Sequence, residues 1–292
     1  MDITLALGGG GARGNAHIGV IRRLEKEGFR IRAVAGTSMG GVVAAVYAAG
    51  YSPNEIEALF LEVEQSKLFG RSPHDGPSIL GLAGVTKWLE KALGKRTFDN
   101  LKIPCALTAV DLRSGQEVIL REGRVMDAVL ATIALPGIFP PQPIKNHQLI
   151  DGGVLDPVPV SVARSLAPTL PVVAVALTPL LDQSGHLAHI PLPMHIPVPI
   201  VRQITRLRVA QAFEIFLHAV DVGGRMLTEL RLQMDDPDVI LRPNVEKIGL
   251  LDKVDVRLVA RLGDEAVEAA LPELRRAVAW PNRLRRRWFK RQ

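Results

Sequence analysis

The first 50 residues alternate between short apolar segments and helical patterns, and this alternation limits the possible fold more than any other feature of the sequence. The apolar segments are ITLALG and IRAVAG, and the helical patterns that follow them are GNAHIGVIRRLEKEG and SMGGVVAAVYAAG. A strand, a crossover helix and a second strand imply parallel strands with helices packed on the sheet. We therefore predict a layered α/β fold with a mainly parallel central sheet flanked by helices.

The rest of the chain continues as a mixture of short apolar strands and longer helical patterns. Further helices are predicted at about residues 53–65, 79–93, 124–135, 158–166, 201–232 and 253–278, and further strands at 105–111, at 117–121 and in PVVAVAL and DVILRP. Neither an internal repeat nor a clean linker divides this pattern. We predict one domain over residues 1–279, with a proline-rich loop insertion at about 178–199, followed by a basic amphipathic tail at 280–292.

Cysteine usage and the N-terminus indicate the compartment. Cys105 is the single cysteine and lies in the predicted strand PCALTAV, so we expect a buried thiol and no disulfide framework. The opening MDITLALGGG lacks the basic leader and long apolar segment of a secretory signal. The longest uncharged stretch, residues 183–201, contains four prolines, each of which costs about 3 kcal/mol inside a helix, so it is not predicted to span a membrane. We expect a cytoplasmic protein.

The positive charge of the chain is concentrated at its end. Lys and Arg exceed Asp and Glu by 36 to 30, and six of these bases lie within the last ten residues. Trp280, Leu284 and Trp288 are spaced by four, so a helix there would carry an apolar stripe flanked by arginines. This pattern suits an anionic membrane surface at the inner face of the cell membrane, while a solvated end or a nonspecific nucleic-acid arm stays open. No specific nucleic-acid partner is predicted, and the sequence leaves the oligomeric state open.

Ser38 lies in the pentapeptide GTSMG, between the second predicted strand and the helix that follows it. Gly36 and Gly40 allow the backbone to bend tightly there, which is what a nucleophile elbow requires. A hydroxyl of Thr37 or Ser38 that merely caps the helix fits the same residues. The pentapeptide alone therefore leaves both interpretations open.

A second glycine-rich segment, GGGGARG, joins the first strand to the first helix. The N–H groups of Gly9, Gly10 and Gly11 can turn toward one point beside a helix N-terminus and form a site for negative charge. The spacing of Gly9, Gly11 and Gly14 also fits a dinucleotide motif. However, no acidic residue ends the second strand, and the Lys-Ser/Thr ending of a phosphate-binding loop is missing. The nucleotide interpretation is accordingly disfavoured.

A third motif, LIDGG, places Asp151 before Gly152 and Gly153. An aspartate at this position can act as a base toward Ser38, or it can bond its own backbone in an Asp-Gly turn. The motif alone favours the turn.

The three motifs together resemble those of the patatin-like phospholipase family, in particular its small bacterial members. The matching segments are GGGARG at 9–14, GTSMG at 36–40 and DGG at 151–153, and their order and spacing are more specific than any one of them. The resemblance implies a Ser-Asp dyad, with Ser38 as nucleophile and Asp151 as proton acceptor. It also implies an acyl-enzyme intermediate and a lipid ester substrate.

The resemblance places further residues around this dyad, and the sequence shows no metal-ligand pattern, so we predict neither a metal nor another cofactor. Gly9, Gly10 and Gly11 surround the oxyanion, and Met39 lies beside the same site. Arg13 orients the glycine loop or attracts an anionic head group, with pairing to a carboxylate as the structural alternative. We expect His17 to pack or bond locally without taking part in catalysis.

Two other interpretations stay open. An α/β-hydrolase would add to Ser38 and Asp151 one of the histidines at 186, 189, 195 and 218. That fold places an oxyanion loop after its third strand and before the nucleophile, whereas only two strands fit ahead of Ser38, so the dyad is favoured. A noncatalytic regulatory protein of the same fold that binds an anionic ligand or lipid is the alternative from another functional class. The proline-rich segment fits a lid near the site or a surface loop.

Overall fold

The computed structural model of the protein describes residues 1–62, 78, 80–178 and 201–279. Within this part, the side chains of residues 201–214, 216 and 217 are not described. Almost all of the proline-rich segment and the whole basic tail lie outside the described residues, so the interpretations of both stay predictions. None of the described helices combines the length and the apolar character that crossing a bilayer requires.

One eight-stranded sheet forms the centre of the described structure. Its strands are β1 (Asp2–Leu7), β2 (Arg30–Gly36), β3 (Cys105–Asp111), β4 (Glu117–Leu120), β5 (Gln142–Ile144), β6 (His147–Asp151), β7 (Val172–Val175) and β8 (Val239–Leu241). The order across the sheet is β5-β6-β3-β2-β1-β7-β8, and β4 pairs with β3 outside this path. Strands β3, β2, β1, β7 and β8 run parallel. Strands β4 and β6 run antiparallel to β3, and β5 runs antiparallel to β6.

Helices pack on both faces of the sheet. In the described residues they are α1 (Ala16–Lys26), α2 (Met39–Ala48), α3 (Pro53–Leu61), α4 (Ala83–Leu93), α5 (Val125–Thr132), α6 (Val160–Leu166), α7 (Val201–Asp235) and α8 (Val256–Val278). One core cluster joins one face of the sheet to α1, α2, α4, α5 and α8, and a second joins the other face to α6 and α7. Every residue of β3 and β7 is buried, as expected for strands covered on both faces. The predicted layered α/β fold is confirmed.

Two of the differences from the predictions have a clear physical reason. The segment QPIKNHQLID forms the β5-β6 hairpin, with Lys145 at φ 54° in its turn, where only a turn at LIDGG was expected. Its polar residues and Pro143 obscure a strand pattern, because an edge strand needs neither continuous apolar residues nor every N–H. Helix α5 ends at Thr132 and not near residue 135. The residue before Pro136 is disfavoured in the helical region, so the helix ends earlier.

The sheet register brings the three sequence motifs to one region. Leu7 at the end of β1 pairs with Gly36 at the end of β2, so the segments that follow both strands begin side by side. Gly36 also pairs with Leu107 of β3, and Ala109 of β3 pairs with Asp151 of β6. Asp151 therefore reaches the same edge of the sheet although its strand runs antiparallel to β3.

Candidate active site

Ser38 occupies a tight turn between β2 and α2. Its backbone has φ 54° and ψ −127°, a conformation that costs a non-glycine residue about 1–3 kcal/mol. The turn also needs glycine at both ends: a Cβ on Gly36 would lie 2.5 Å from the carbonyl oxygen of Gly40, and one on Gly40 would lie 2.2 Å from that of Leu7. The Ser38 N–H donates a hydrogen bond to Thr132 Oγ1 at 2.9 Å. This is the geometry of a nucleophile elbow.

Neither hydroxyl of the Thr37-Ser38 pair caps helix α2. Ser38 stands at the N-cap position, but its side chain makes no capping hydrogen bond. The Thr37 hydroxyl lies 2.7 Å from Thr108 Oγ1 and donates to the carbonyl oxygen of Asp156 at 2.9 Å. The helix-capping interpretation is therefore wrong, and the Thr37 side chain instead ties the turn to Thr108 and Asp156.

Asp151 combines the two roles that the sequence left as alternatives. Its side chain is hydrogen-bonded to Ser38, and its Oδ1 also accepts the N–H of Gly153 at 2.8 Å. Its own N–H donates to the carbonyl oxygen of Ala134 at 3.0 Å. Gly152 permits this close packing, because a Cβ there would lie 2.2 Å from Thr108 Oγ1. The aspartate thus forms the Asp-Gly turn and contacts Ser38 at the same time.

Burial changes the acidity of Asp151. The residue is only 4% exposed, and this burial raises the pKa of its carboxyl group to about 6, against the opposing effect of the hydrogen bonds from Ser38 and Gly153. A higher pKa makes the carboxylate a stronger base than an exposed aspartate. At neutral pH the group is still mostly ionised and can accept a proton.

The glycine loop lies directly against Ser38. A Cβ on Gly9 would lie 3.2 Å from Ser38 Cβ. The N–H of Gly9 donates to the carbonyl oxygen of Pro157 at 2.9 Å, so it is not free for an oxyanion. The N–H groups of Gly10 and Gly11 have no acceptor among the described residues, and both glycines line the same pocket as Ser38. Gly10 and Gly11 are therefore the better candidates for an oxyanion site among the three glycines that the sequence suggested.

His17 supports the glycine loop from the interior. It is fully buried, and its Nε2 lies 2.8 Å from the carbonyl oxygen of Gly8, so Nε2 carries the proton and donates it. Burial lowers the pKa of His17 to about 4, against the smaller effect of this bond, and the ring is neutral at neutral pH. The prediction that His17 bonds locally is confirmed, since it fixes the peptide before Gly9.

Arg13 pairs with a carboxylate, as the structural alternative had it. Its Nη1 donates to Asp221 Oδ1 of α7 at 2.7 Å, and its Nε donates to the carbonyl oxygen of Ile248 at 2.6 Å. The side chain is 4% exposed, and Arg13 lines the same pocket as Ser38. Arg13 instead ties α7 and the segment after β8 to the glycine loop.

A pocket of about 850 Å³ lies beside these candidate residues. Ser38 and Asp151 both line it, and most of the remaining lining is apolar, including Phe60, Leu82, Val85, Trp88, Ile133, Leu135, Pro136, Phe139, Val220, Leu227 and Leu250. Met39 also lines it, and its side chain packs where a Cβ on Gly14 would lie, 2.1 Å from Met39 Cγ. A mostly apolar cavity with few polar groups at one point suits a substrate with an acyl chain.

The remaining sequence candidates lie away from Ser38 and Asp151 or outside the described residues. No histidine in the described part of the chain lines the pocket, and His218 is exposed on α7. The histidines at 186, 189 and 195 lie outside the described residues. Cys105 is buried, which raises the pKa of its thiol to about 12, so the prediction of a core cysteine is confirmed. Among the described side chains, no group of three or more His, Cys, Asp or Glu is arranged to hold a metal ion.

Sequence reasoning missed the threonines that hold the turn. Thr108 and Thr132 are fully buried, and their hydroxyls contact Thr37 and Ser38 respectively. Neither belongs to a motif, and each reads as a polar residue within an apolar strand or helix. The only available signal was a hydroxyl at a buried position, which requires a hydrogen-bond partner.

Comparisons with known proteins agree with these motifs. A family model described as patatin-like phospholipase matches residues 5–164. An uncharacterized NTE family protein of Mycobacterium tuberculosis is 38% identical over 162 residues, which cover 54% of this chain and 44% of that protein. A second such protein of the same species is 29% identical over 278 residues, covering 92% of this chain and 46% of that protein. Mouse patatin-like phospholipase domain-containing protein 6 is 29% identical over 171 residues, covering 56% of this chain and 13% of that protein. The chain therefore spans less than half the length of these relatives.

Among solved structures, VipD from Legionella pneumophila aligns with a TM-score of 0.55 and 12% sequence identity. The alignment covers 93% of this chain and 66% of the VipD chain. At this identity the likeness concerns the fold alone.

Proposed function

The chain belongs to the patatin-like phospholipase family, and on this premise we propose that it is a serine lipid acyl hydrolase whose catalytic dyad is Ser38 and Asp151. One observation carries the proposal: a buried carboxylate of raised pKa bonds a serine held in a strained elbow. Strained backbone and shifted pKa values both occur preferentially at functional sites. Both groups face an apolar pocket large enough for an acyl chain.

The reaction proceeds through an acyl-enzyme. Asp151 accepts the proton of the Ser38 hydroxyl as Ser38 Oγ attacks the ester carbonyl carbon. The tetrahedral intermediate collapses, the alcohol leaves with the proton from Asp151, and the acyl group stays on Ser38. A water molecule then attacks this ester while Asp151 again accepts the proton. The acyl product leaves and Ser38 regains its hydroxyl.

The oxyanion needs donors that are in place before the reaction. We assign this role to the N–H groups of Gly10 and Gly11, which have no acceptor among the described residues. His17 and Pro157 fix the peptide between Gly8 and Gly9, which keeps the loop in position. Each such donor typically contributes about 2.7–4 kcal/mol to transition-state stabilisation. This contribution matters here because aspartate is a weaker base than the histidine of a triad.

The substrate we propose is a lipid ester of the phospholipase or lysophospholipase and esterase type. The apolar pocket lining suits an acyl chain, and the pairing of Arg13 with Asp221 leaves head-group recognition to other residues. We further propose that the basic tail at residues 280–292 brings the site to an anionic membrane surface, on the strength of its spaced aromatic and basic residues.

A fluorophosphonate probe tests the nucleophile directly. We expect it to label the wild-type protein and not Ser38→Ala, and we expect hydrolysis of a medium-chain nitrophenyl ester to fall at least about a thousandfold in that variant. Ser114→Ala, at an exposed turn, is the matched control and should keep both activities. Thermal unfolding shows whether each variant is folded. A folded Ser38→Ala protein that still hydrolyses the ester contradicts the proposal.

A further inference from the structure

One short segment contacts both members of the dyad. The side chain of Thr132, the last residue of α5, accepts the N–H of Ser38 at 2.9 Å. Two residues later, the carbonyl oxygen of Ala134 accepts the N–H of Asp151 at 3.0 Å. Both Thr132 and Ala134 are fully buried. Residues 132–134 therefore bond the backbone of Ser38 and the backbone of Asp151 at the same time.

The bond from Thr132 acts on the strained part of the site. Ser38 has φ 54°, so its side chain points correctly only while the neighbouring structure maintains that angle. The hydrogen bond from the Ser38 N–H is partly buried, and without the Thr132 hydroxyl this N–H would lose its hydrogen-bond partner. A backbone relaxed toward negative φ would move Ser38 Oγ relative to Asp151.

We propose that Thr132 is a positioning residue for the reaction: its hydroxyl holds the Ser38 backbone in the reactive conformation. This inference rests on the proposed function, because it assigns the role through Ser38. Thr132 is not among the residues that line the pocket, so it acts on the nucleophile and not on the substrate. A shift of about 1 Å in a reacting group lowers rates by about a hundredfold.

The hydroxyl and the methyl group of Thr132 have different contacts, so substitutions can remove one without the other. The hydroxyl bonds Ser38, whereas the methyl group packs on α2 and would lie 2.8 Å from a Cβ on Gly41. Thr132→Val keeps the shape and the packing but removes the acceptor. Thr132→Ser keeps the acceptor but removes the methyl group.

We expect Thr132→Val to lose mainly activity and Thr132→Ser to lose mainly thermal stability. Thr132→Val should lower kcat about tenfold to a hundredfold with KM within about twofold, and should slow fluorophosphonate labelling to a similar extent. Thr132→Ser should keep kcat within about threefold while losing thermal stability, because it leaves a small cavity. The matched control is Thr4→Val, since Thr4 is also fully buried but its Oγ1 has no partner among the described residues. That control should leave kcat unchanged.

A second measurement does not depend on catalysis. Hydrogen exchange of the peptide covering residues 36–41 should be faster in Thr132→Val than in wild type, and unchanged in Thr132→Ser. Equal exchange in all three proteins, or equal losses of kcat in the two Thr132 variants, overturns the inference. A wild-type protein that is neither labelled nor active defeats the proposed function, while the exchange comparison still decides whether Thr132 holds the Ser38 backbone.

Discussion

Asp151 shows how a buried carboxylate can become a stronger base at the expense of stability. Its carboxyl group is 4% exposed, and the resulting loss of hydration raises its pKa to about 6. The same loss of hydration destabilises the ionised form, which is the form that the proposed reaction needs. The hydrogen bonds from Ser38 and Gly153 limit the shift, so the group is still ionised at neutral pH.

The raised pKa predicts an acid limb in the activity profile. Asp151 must be ionised to accept a proton, so kcat/KM for a soluble ester should fall about tenfold per pH unit below about pH 6 and level off above it. Asp151→Asn should lose at least about a hundredfold in kcat/KM, and its residual rate should lack this limb. Glu122→Gln, an exposed acid, serves as the control. A limb near pH 4 in the folded wild-type protein contradicts this assignment.

At the scale of elements, the glycine loop is held in place by α7 and by the segment that follows β8. Arg13 bonds Asp221 of α7 and the carbonyl oxygen of Ile248, and the N–H of Ala12 donates to the carbonyl oxygen of Leu250 at 2.8 Å. A Cβ on Gly11 would lie 2.0 Å from that same Leu250 oxygen. The glycine loop is therefore supported by elements far along the sequence, and α7 also provides one wall of the pocket.

Breaking the ion pair between Arg13 and Asp221 should affect stability and activity together. We expect Arg13→Met to lower the free energy of unfolding by about 1–3 kcal/mol, less than for an isolated buried pair because Arg225 still contacts the carboxylate at 2.6 Å. It should also lower kcat, because the glycine loop loses its anchor. Urea unfolding and ester hydrolysis measure the two effects.

Two companion variants make this prediction specific. Arg225→Met removes a partner within α7 itself, so it should cost less stability and leave kcat nearly unchanged. The double variant Arg13→Met with Asp221→Asn should be no more stable than Arg13→Met, since Arg225 still compensates the carboxylate in the single variant and loses this partner in the double variant. Equal effects of Arg13→Met and Arg225→Met on kcat argue against an anchoring role for Arg13.

At the scale of the whole molecule, the residues of the site come from parallel and antiparallel strands of the central sheet. Parallel strands β1 and β2 present the glycine loop and Ser38, and the antiparallel strand β6 presents Asp151. Asp156, which is fully buried, contacts the turn that carries Ser38, because its carbonyl oxygen accepts a hydrogen bond from the Thr37 hydroxyl. Burial and the neighbouring Glu117 raise the pKa of Asp156 to about 7.

These two buried aspartates predict how global stability depends on pH. Both folded-state pKa values are raised, so their contribution to stability is fully present below about pH 4 and is lost as the pH rises through about 6 for Asp151 and about 7 for Asp156. Asp156→Asn should therefore raise the free energy of unfolding by about 1–3 kcal/mol at pH 8 and by little at pH 4. Urea unfolding at both pH values measures this, with Glu122→Gln as control. An equal change at both pH values contradicts it.

The sequence by itself determined the features that depend on neighbouring residues. The alternation of strand and helix patterns specified the α/β fold, and the glycines at 36 and 40 specified a sharp turn at Ser38, because backbone conformation and hydrophobic periodicity are decided within a few residues. The Asp-Gly-Gly motif identified Asp151 as a candidate, while its strand was missed because an edge hairpin carries a weak pattern.

Only the tertiary structure decided which distant groups meet. Arg13 and Asp221 are separated by 208 residues, and Ser38 and Thr132 by 94, so no local pattern could have indicated either contact. No local pattern could have distinguished Gly9 from Gly10 and Gly11 either, since the N–H of Gly9 donates to the distant carbonyl oxygen of Pro157. It holds as well for the pKa of Asp151, which is raised because the folded chain excludes water around it. Packing brings such partners together, and packing depends on the whole chain.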